Sequence, residues 1–285
     1  MNNNTREPLR IYTNKAKVAV MLTIFEAIIL GIIQGITEWL PISSQGMTSL
    51  IMINVFNKSL ADSLPIAIWL HTGTLLSAVV YFRKDVKEII TEIPAYLTSR
   101  DLRQKKGSLI TFLLISTLIT GIIGLPLILL ATGIEDFSGK LATALIGLLL
   151  IITGLLQISA SNMEKKRDKP VIMDSLIVGI AQGFAALPGI SRSGITVSTL
   201  LLRNIEASQA LRLSFLMSIP AVIAADLGMG AMGLLSFDIA SMLALFFAFI
   251  VGILTIDLFI KAAKIFDFSK FCIALGIISI LAYFL

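Results

Sequence analysis

Residues 31–48 read GIIQGITEWLPISSQGMT, and residues 179–196 read GIAQGFAALPGISRSGIT. At a fixed offset of 148 the pairs Gly31/Gly179, Ile32/Ile180, Gln34/Gln182, Gly35/Gly183, Ile42/Ile190, Ser43/Ser191, Gly46/Gly194 and Thr48/Thr196 are identical. Leu40-Pro41 and Leu187-Pro188 also match with a slip of one residue. At typical residue usage, unrelated stretches of this length would share roughly one or two residues. Each copy is an apolar segment broken by proline and followed by a Ser/Gly loop. In a membrane protein, interrupted apolar segments at corresponding places of two halves point to a binding site near the bilayer midplane.

Composition supports a membrane setting. The 285-residue chain is 56% hydrophobic and 14% charged, with a mean hydropathy of +0.92. Soluble domains carry about 25% charged residues. Apolar runs at 63–82, 108–131, 141–160, 209–229, 239–259 and 267–285 read as full spans, since a crossing helix needs about 20 residues. The net charge of +5 does not indicate nucleic acid, because the basic residues sit in short loops. The single cysteine, Cys272, rules out a disulfide within the chain and reads as a small buried hydrophobe. Arg6, Arg10, Lys15 and Lys17 precede an apolar run as in a signal peptide. No small-residue cleavage site follows, so the run is read as part of the mature protein.

Loop charge gives a topology. Arg83, Lys84, Lys87, Arg100, Arg103, Lys105 and Lys106 occupy the loop at 83–107, the only sizeable one. Lys165, Lys166, Arg167 and Lys169 occupy 161–170, and Lys261, Lys264 and Lys270 flank the last turn. The positive-inside rule places these three loops in the cytoplasm. Segments 24–57 and 172–204 are then expected as re-entrant hairpins, the first open to the outside and the second to the inside. The expected architecture is one all-α integral-membrane domain over 1–285. It would hold two inverted-topology repeats, 18–160 and 171–285, each a re-entrant hairpin plus three transmembrane helices. The basic N-terminal tail, placed outside by this scheme, runs against the rule.

The loops at the breaks carry the candidate chemistry. Non-helical backbone at membrane depth is tolerated only where protein or a wet cavity covers it. The second loop, Pro188-Gly189-Ile190-Ser191-Arg192-Ser193-Gly194, combines hydroxyls, a guanidinium and the amides of a following half-helix. This set suits a phosphate, through the helix N-terminus and bidentate arginine. The alternative is Arg192 as a cytoplasmic topology anchor. In the first copy Gln34 and Glu38 are four apart and share a helix face. Glu38 can ligate a hard divalent cation, Mg2+ or Ca2+, act as a base, or pair structurally with Arg192. Ser43, Ser44 and Gln45 line the first loop, and a serine becomes a nucleophile only with a base nearby.

The pairing of GIIQGITEWLPISSQG with LPGISRSGIT resembles the undecaprenyl-diphosphate phosphatase family, also known as bacitracin-resistance proteins. The likeness covers nearly the whole chain. That family carries an (E/Q)-x-x-x-E motif leading into Pro-x-Ser-Ser-x-Gly-His, and a Pro-Gly-x-Ser-Arg-Ser-x-x-Thr loop. The resemblance implies an integral-membrane hydrolase that removes the terminal phosphate of a polyprenyl diphosphate and regenerates the lipid carrier for cell-envelope glycan assembly. It implies a plasma-membrane location. Gln34 and Glu38 match the first motif, and Ser44 matches the serine proposed as nucleophile. Ser191, Arg192, Ser193 and Thr196 match the second, where the arginine holds the diphosphate.

One departure matters. The family histidine after Ser-Ser-x-Gly is Met47 here, which cannot transfer a proton. The only histidine, His71, lies on the next span. It is expected either to face the cavity and take over the acid/base role, or to be a hydrogen-bonded structural residue. The expected site is thus Ser44, Glu38, Arg192 and His71 for chemistry, Glu38 also for a cation, and Gln34, Ser43, Gln45, Ser191, Ser193 and Thr196 for the ligand. The expected partners are the polyprenyl-diphosphate lipid and the membrane, without nucleic acid; the sequence leaves a homodimer open. A runner-up reading from another class is a polyprenyl-phosphate flippase or binding protein that does not hydrolyse.

Overall fold

A computed structural model describes residues 22–99, 108–133, 138–161, 167–235 and 237–284. Its helices are α1 (Ile24–Thr37), α2 (Ser44–Asn54), α3 (Leu60–Tyr81), α4 (Arg83–Thr98), α5 (Leu109–Gly133), α6 (Gly139–Ser161), α7 (Ile172–Phe184), α8 (Arg192–Leu202), α9 (Ala207–Ala231), α10 (Ile239–Ile265) and α11 (Ser269–Leu281), closed by a 3-10 turn at Ala282–Phe284. Among the described residues there is no strand, only an isolated bridge between Arg167 and Ile205. Five helices, α3, α5, α6, α9 and α10, are long and apolar enough to cross a membrane. Large side chains such as Leu118, Leu227 and Leu254 are exposed on them. In water these would be a liability, and in lipid they are the expected surface. The protein is an all-helical, multi-pass membrane protein.

The run at 267–285 forms α11, an apolar helix shorter than those five, which starts after a polar turn of Asp267 and Ser269 (Ser269 N–H to Asp267 Oδ1, 3.1 Å) and is continued to Phe284 by the 3-10 turn. One expectation is corrected. The stretch read as a loop at 83–107 begins with a 16-residue helix, α4. Its apolar residues Ile90, Ile93 and Leu97 recur at helical spacing and are exposed, a pattern that the surrounding charges hid. The basic tail, Arg100, Arg103, Lys105, Lys106, Lys165 and Lys166 lie outside the described residues.

Both proline-broken segments form helical hairpins. The arms α1 and α7 have 14 and 13 residues, and α2 and α8 have 11 each. None is long enough to span. Ser43 and Ser191 are the N-caps of α2 and α8, accepting from Gly46 N–H and Gly194 N–H at 3.1 Å each. This is the usual way to satisfy an orphan amide at a helix start. After the second arm, Asn57 and Asn204 both adopt left-handed backbone, φ 55° and 63°, and turn the chain into α3 and α9.

The repeated glycines have a packing cause. α1 lies along α10, and α7 lies along α5. A Cβ on Gly31 would sit 2.5 Å from the Ala244 carbonyl oxygen, and one on Gly35 would sit 2.8 Å from Gly252 N. A Cβ on Gly179 would sit 2.8 Å from the Ser116 carbonyl oxygen, and one on Gly183 would sit 2.6 Å from Ile123 Cβ. Each pair, four residues apart, is a small-residue seam that lets two backbones approach closely. The hairpin tips also meet each other. Gly189 N–H donates to Ser43 Oγ at 3.2 Å, and Gln45 Nε2 donates to the Ala186 carbonyl at 3.3 Å.

Candidate active site

The break between α1 and α2 places Glu38 at the end of one helix and Ser44 at the start of the next. Glu38 is buried, 5% exposed. Its Oε2 accepts from Ser44 Oγ at 2.6 Å and from Gln34 Nε2 at 2.8 Å. Its Oε1 pairs with Arg192 Nη2, from the first residue of α8. The other guanidinium nitrogen, Arg192 Nη1, is buried without a hydrogen-bond partner. Burying both charges is costly unless they are paired, so Glu38 and Arg192 account for each other, with Nη1 left over.

His71 enters from α3. Its Nδ1 lies 2.6 Å from the Ala67 carbonyl oxygen, one turn back. A carbonyl only accepts, so Nδ1 carries a proton and the neutral ring presents a lone pair at Nε2. Nε2 lies 3.4 Å from Ser44 Oγ and 3.3 Å from Glu38 Oε2. The serine hydroxyl therefore has two bases beside it, and its helix N-terminus supplies positive potential. Arg192 begins α8 in the same way.

Ser44, His71 and Arg192, with Ser43 and Gln45, line one cavity of about 610 Å³. Its remaining wall is mostly apolar, from α5 (Leu125, Ile128) and α9 (Val222, Met229). Four residues expected to touch a ligand are not among those that line this cavity. Gln34 is fully buried against Glu38. Ser191 caps α8, Ser193 Oγ donates to the Leu40 carbonyl at 3.4 Å, and Thr196 bonds the Arg192 carbonyl and Ser214 Oγ, both at 2.7 Å. They hold the tips in place; the cavity itself is out of their reach.

Two positioning residues escaped the sequence reading. Gln157 Nε2 donates to the Pro41 carbonyl at 2.7 Å. Thr153 donates to the Gly189 carbonyl at 3.0 Å and accepts from Ser191 N–H at 3.1 Å. These groups of α6 satisfy the backbone that the two prolines free. Their signal was present: two polar residues spaced i, i+4 on an otherwise apolar span.

Glu38, the residue expected to ligate a divalent cation, has one oxygen engaged by Arg192 and the other by Ser44 and Gln34. Among the described residues no group of three or more His, Cys, Asp or Glu side chains gathers around it.

Fold and cavity together define a polytopic helical membrane protein whose two broken-helix hairpins meet at a Ser–Glu–His–Arg cluster on the cavity wall. The family model described as bacitracin resistance protein BacA matches residues 27–281, and the chain belongs to that family. It is 57% identical over 265 residues to a protein of Methanococcoides burtonii, covering 93% of this chain and all of that one. It is 39% identical over 260 residues to a protein of Haloarcula marismortui, covering 90% and 96%. Both relatives are named undecaprenyl-diphosphatase.

Proposed function

We propose that the protein is an integral-membrane phosphatase that removes the terminal phosphate of a polyprenyl diphosphate and acts in the plasma membrane. The observation that carries this reading is His71 Nε2, 3.4 Å from Ser44 Oγ, in a cavity that also holds the unpartnered Nη1 of Arg192. The names of the relatives support the same chemistry. The apolar wall of α5 and α9 suits an isoprenoid chain, and the tips suit its charged head.

In this mechanism Ser44 Oγ attacks the terminal phosphorus. The new bond is Oγ–P, and the P–O bond to the lipid phosphate breaks, so the lipid monophosphate leaves. The serine proton passes to the Glu38–His71 pair. Arg192 and the first amides of α2 and α8 stabilise charge on the non-bridging oxygens, which is most of what phosphoryl transfer requires. The serine proton leaves with the lipid monophosphate, which frees His71 to take a proton from the water that attacks the phosphoserine; the proton returns to Ser44 Oγ as the Oγ–P bond breaks and inorganic phosphate is freed. Any Mg2+ or Ca2+ comes with the diphosphate as its counter-ion. In this reading residues 18–160 and 171–285 are inverted copies. The shared caps, left-handed turns and glycine seams support it.

The test is phosphate release from a polyprenyl diphosphate by the purified protein. His71→Ala should lower turnover by about 10²–10⁴-fold, the range for a general acid/base. Unchanged turnover would remove His71 from the chemistry. Saturable binding without any release would turn the reading toward a non-hydrolysing lipid-phosphate binder.

A further inference from the structure

The cavity carries a second set of polar groups, on the wall made by α5 and α7. Gln182, 2% exposed, donates Nε2–H to Thr120 Oγ1 at 3.0 Å. The Thr120 hydroxyl in turn donates to the Gly179 carbonyl at 3.1 Å. With its only proton committed, Thr120 can only accept from Gln182, which fixes the amide orientation. Gln182 Oε1 is therefore the free end, and it is buried with no hydrogen-bond partner. Thr117 Oγ1, about one turn earlier on α5, is likewise buried and unpartnered. All three residues line the cavity. Buried polar atoms are nearly always hydrogen-bonded, to protein or to ordered water, so these two, on residues that line one cavity, have bonding capacity to offer a guest.

The chemistry of the orphans narrows that ligand. An amide oxygen accepts only, and a threonine hydroxyl can donate or accept. The matching group presents a hydroxyl beside a bare oxygen. Neither orphan is charged, so this wall selects for a proton rather than for negative charge. Of the two products of the proposed reaction, inorganic phosphate keeps a P–OH as its dianion. A phosphate monoester dianion, the form of the lipid product, has none.

We propose that Gln182, Thr117 and Thr120 form a second subsite, which receives inorganic phosphate after its release. This rests on the phosphatase reading. Gln182 Oε1 accepts from the P–OH, and the Thr117 hydroxyl donates to a bare phosphate oxygen. The subsite reads the one feature that distinguishes the small product from the lipid product.

Calorimetric titration of the full-length protein in detergent tests this with three dianions. At about pH 8, above the second ionisation of a monoester near 6, these are inorganic phosphate, methyl phosphate and sulfate. Only the first carries a donor proton. The wild type should prefer inorganic phosphate by about tenfold, the size of one hydrogen bond to a buried group. Gln182→Leu should level the three, and the near-isosteric Thr117→Val should weaken phosphate binding. Equal binding of the three dianions by the wild type, no binding at all, or an intact preference in both variants would overturn the proposal. The measurement needs no turnover, and Ser44→Ala should keep the preference. A wild type that prefers inorganic phosphate but releases none from a lipid diphosphate would sink the phosphatase reading and leave the anion subsite standing.

Discussion

The two hairpins share their scaffold and differ in their chemistry. Gly31 and Gly179, the capping serines Ser43 and Ser191, and the left-handed Asn57 and Asn204 do the same physical work in each. The first residue of the second arm does not: it is Ser44 in one hairpin and Arg192 in the other. Glu38, which joins those two residues, has Ala186 as its counterpart at the same offset of 148. The shared glycines lie where backbone approaches backbone. Ser44, Arg192 and Glu38 differ from their counterparts where the two hairpins' side chains meet. One hairpin holds Ser44 and the carboxylate of Glu38, and its partner holds the guanidinium of Arg192; in the proposed mechanism these are nucleophile, base and anion grip.

The strongest way to break this division is to delete one side of it. Ser44→Ala should reduce phosphate release by at least ~10³-fold, as loss of a nucleophile does elsewhere. Equal activity in the variant would leave the first hairpin without its assigned role. Arg192→Lys keeps the charge but loses the planar fork, and a fall of about 10²-fold is expected in the same assay. Full activity would show that the second hairpin contributes charge alone.

The bases of the hairpins sharpen the comparison in stability. Asp174 and Glu26 occupy the same place in the repeat and in the first turn of their helices. Asp174 is fully buried and bonded by Arg167 at 3.0 Å and Arg203 at 2.8 Å. Among the described residues Glu26 meets the Thr23 amide at 2.8 Å and Lys58 at 3.6 Å, nearer solvent. Asp174→Ala should cost about 2–3 kcal/mol, because it strands charged partners. Glu26→Ala should cost under about 1 kcal/mol. Comparable losses in denaturation would show that the two bases are equivalent. The smallest effect lies at the turns. Asn57→Ala and Asn204→Ala should each cost about 1 kcal/mol, since alanine tolerates left-handed backbone poorly. Unequal losses at the turns would argue against a common scaffold.

Much of this was legible in the sequence. The 148-residue offset marked both hairpins, and Pro41 and Pro188 marked their breaks. Ser44, Glu38 and Arg192 come together at the two breaks, and His71, whose place the motifs left open, lies beside them. What escaped was set by tertiary packing. Which second-motif hydroxyls reach the cavity depends on how α8 is rotated, and only the fold reveals that Ser191, Ser193 and Thr196 turn inward to the protein. Thr153 and Gln157 act on carbonyls in the two hairpin tips, far away in sequence. In α4 the helical period of Ile90, Ile93 and Leu97 was diluted by charged neighbours.

The seam between α1 and α10 brings residues near 31 against residues near 244. The first hairpin therefore finds its glycine-matched neighbour only after more than two hundred further residues have been made. During synthesis Gly31 and Gly35 must wait, their bare backbone stripe covered by lipid or by the insertion machinery. The α7 seam has no such delay, because α5 already stands in place. The hairpin that carries Ser44 is thus the last to lock, and a stall before α10 emerges would leave a cavity without a fixed serine.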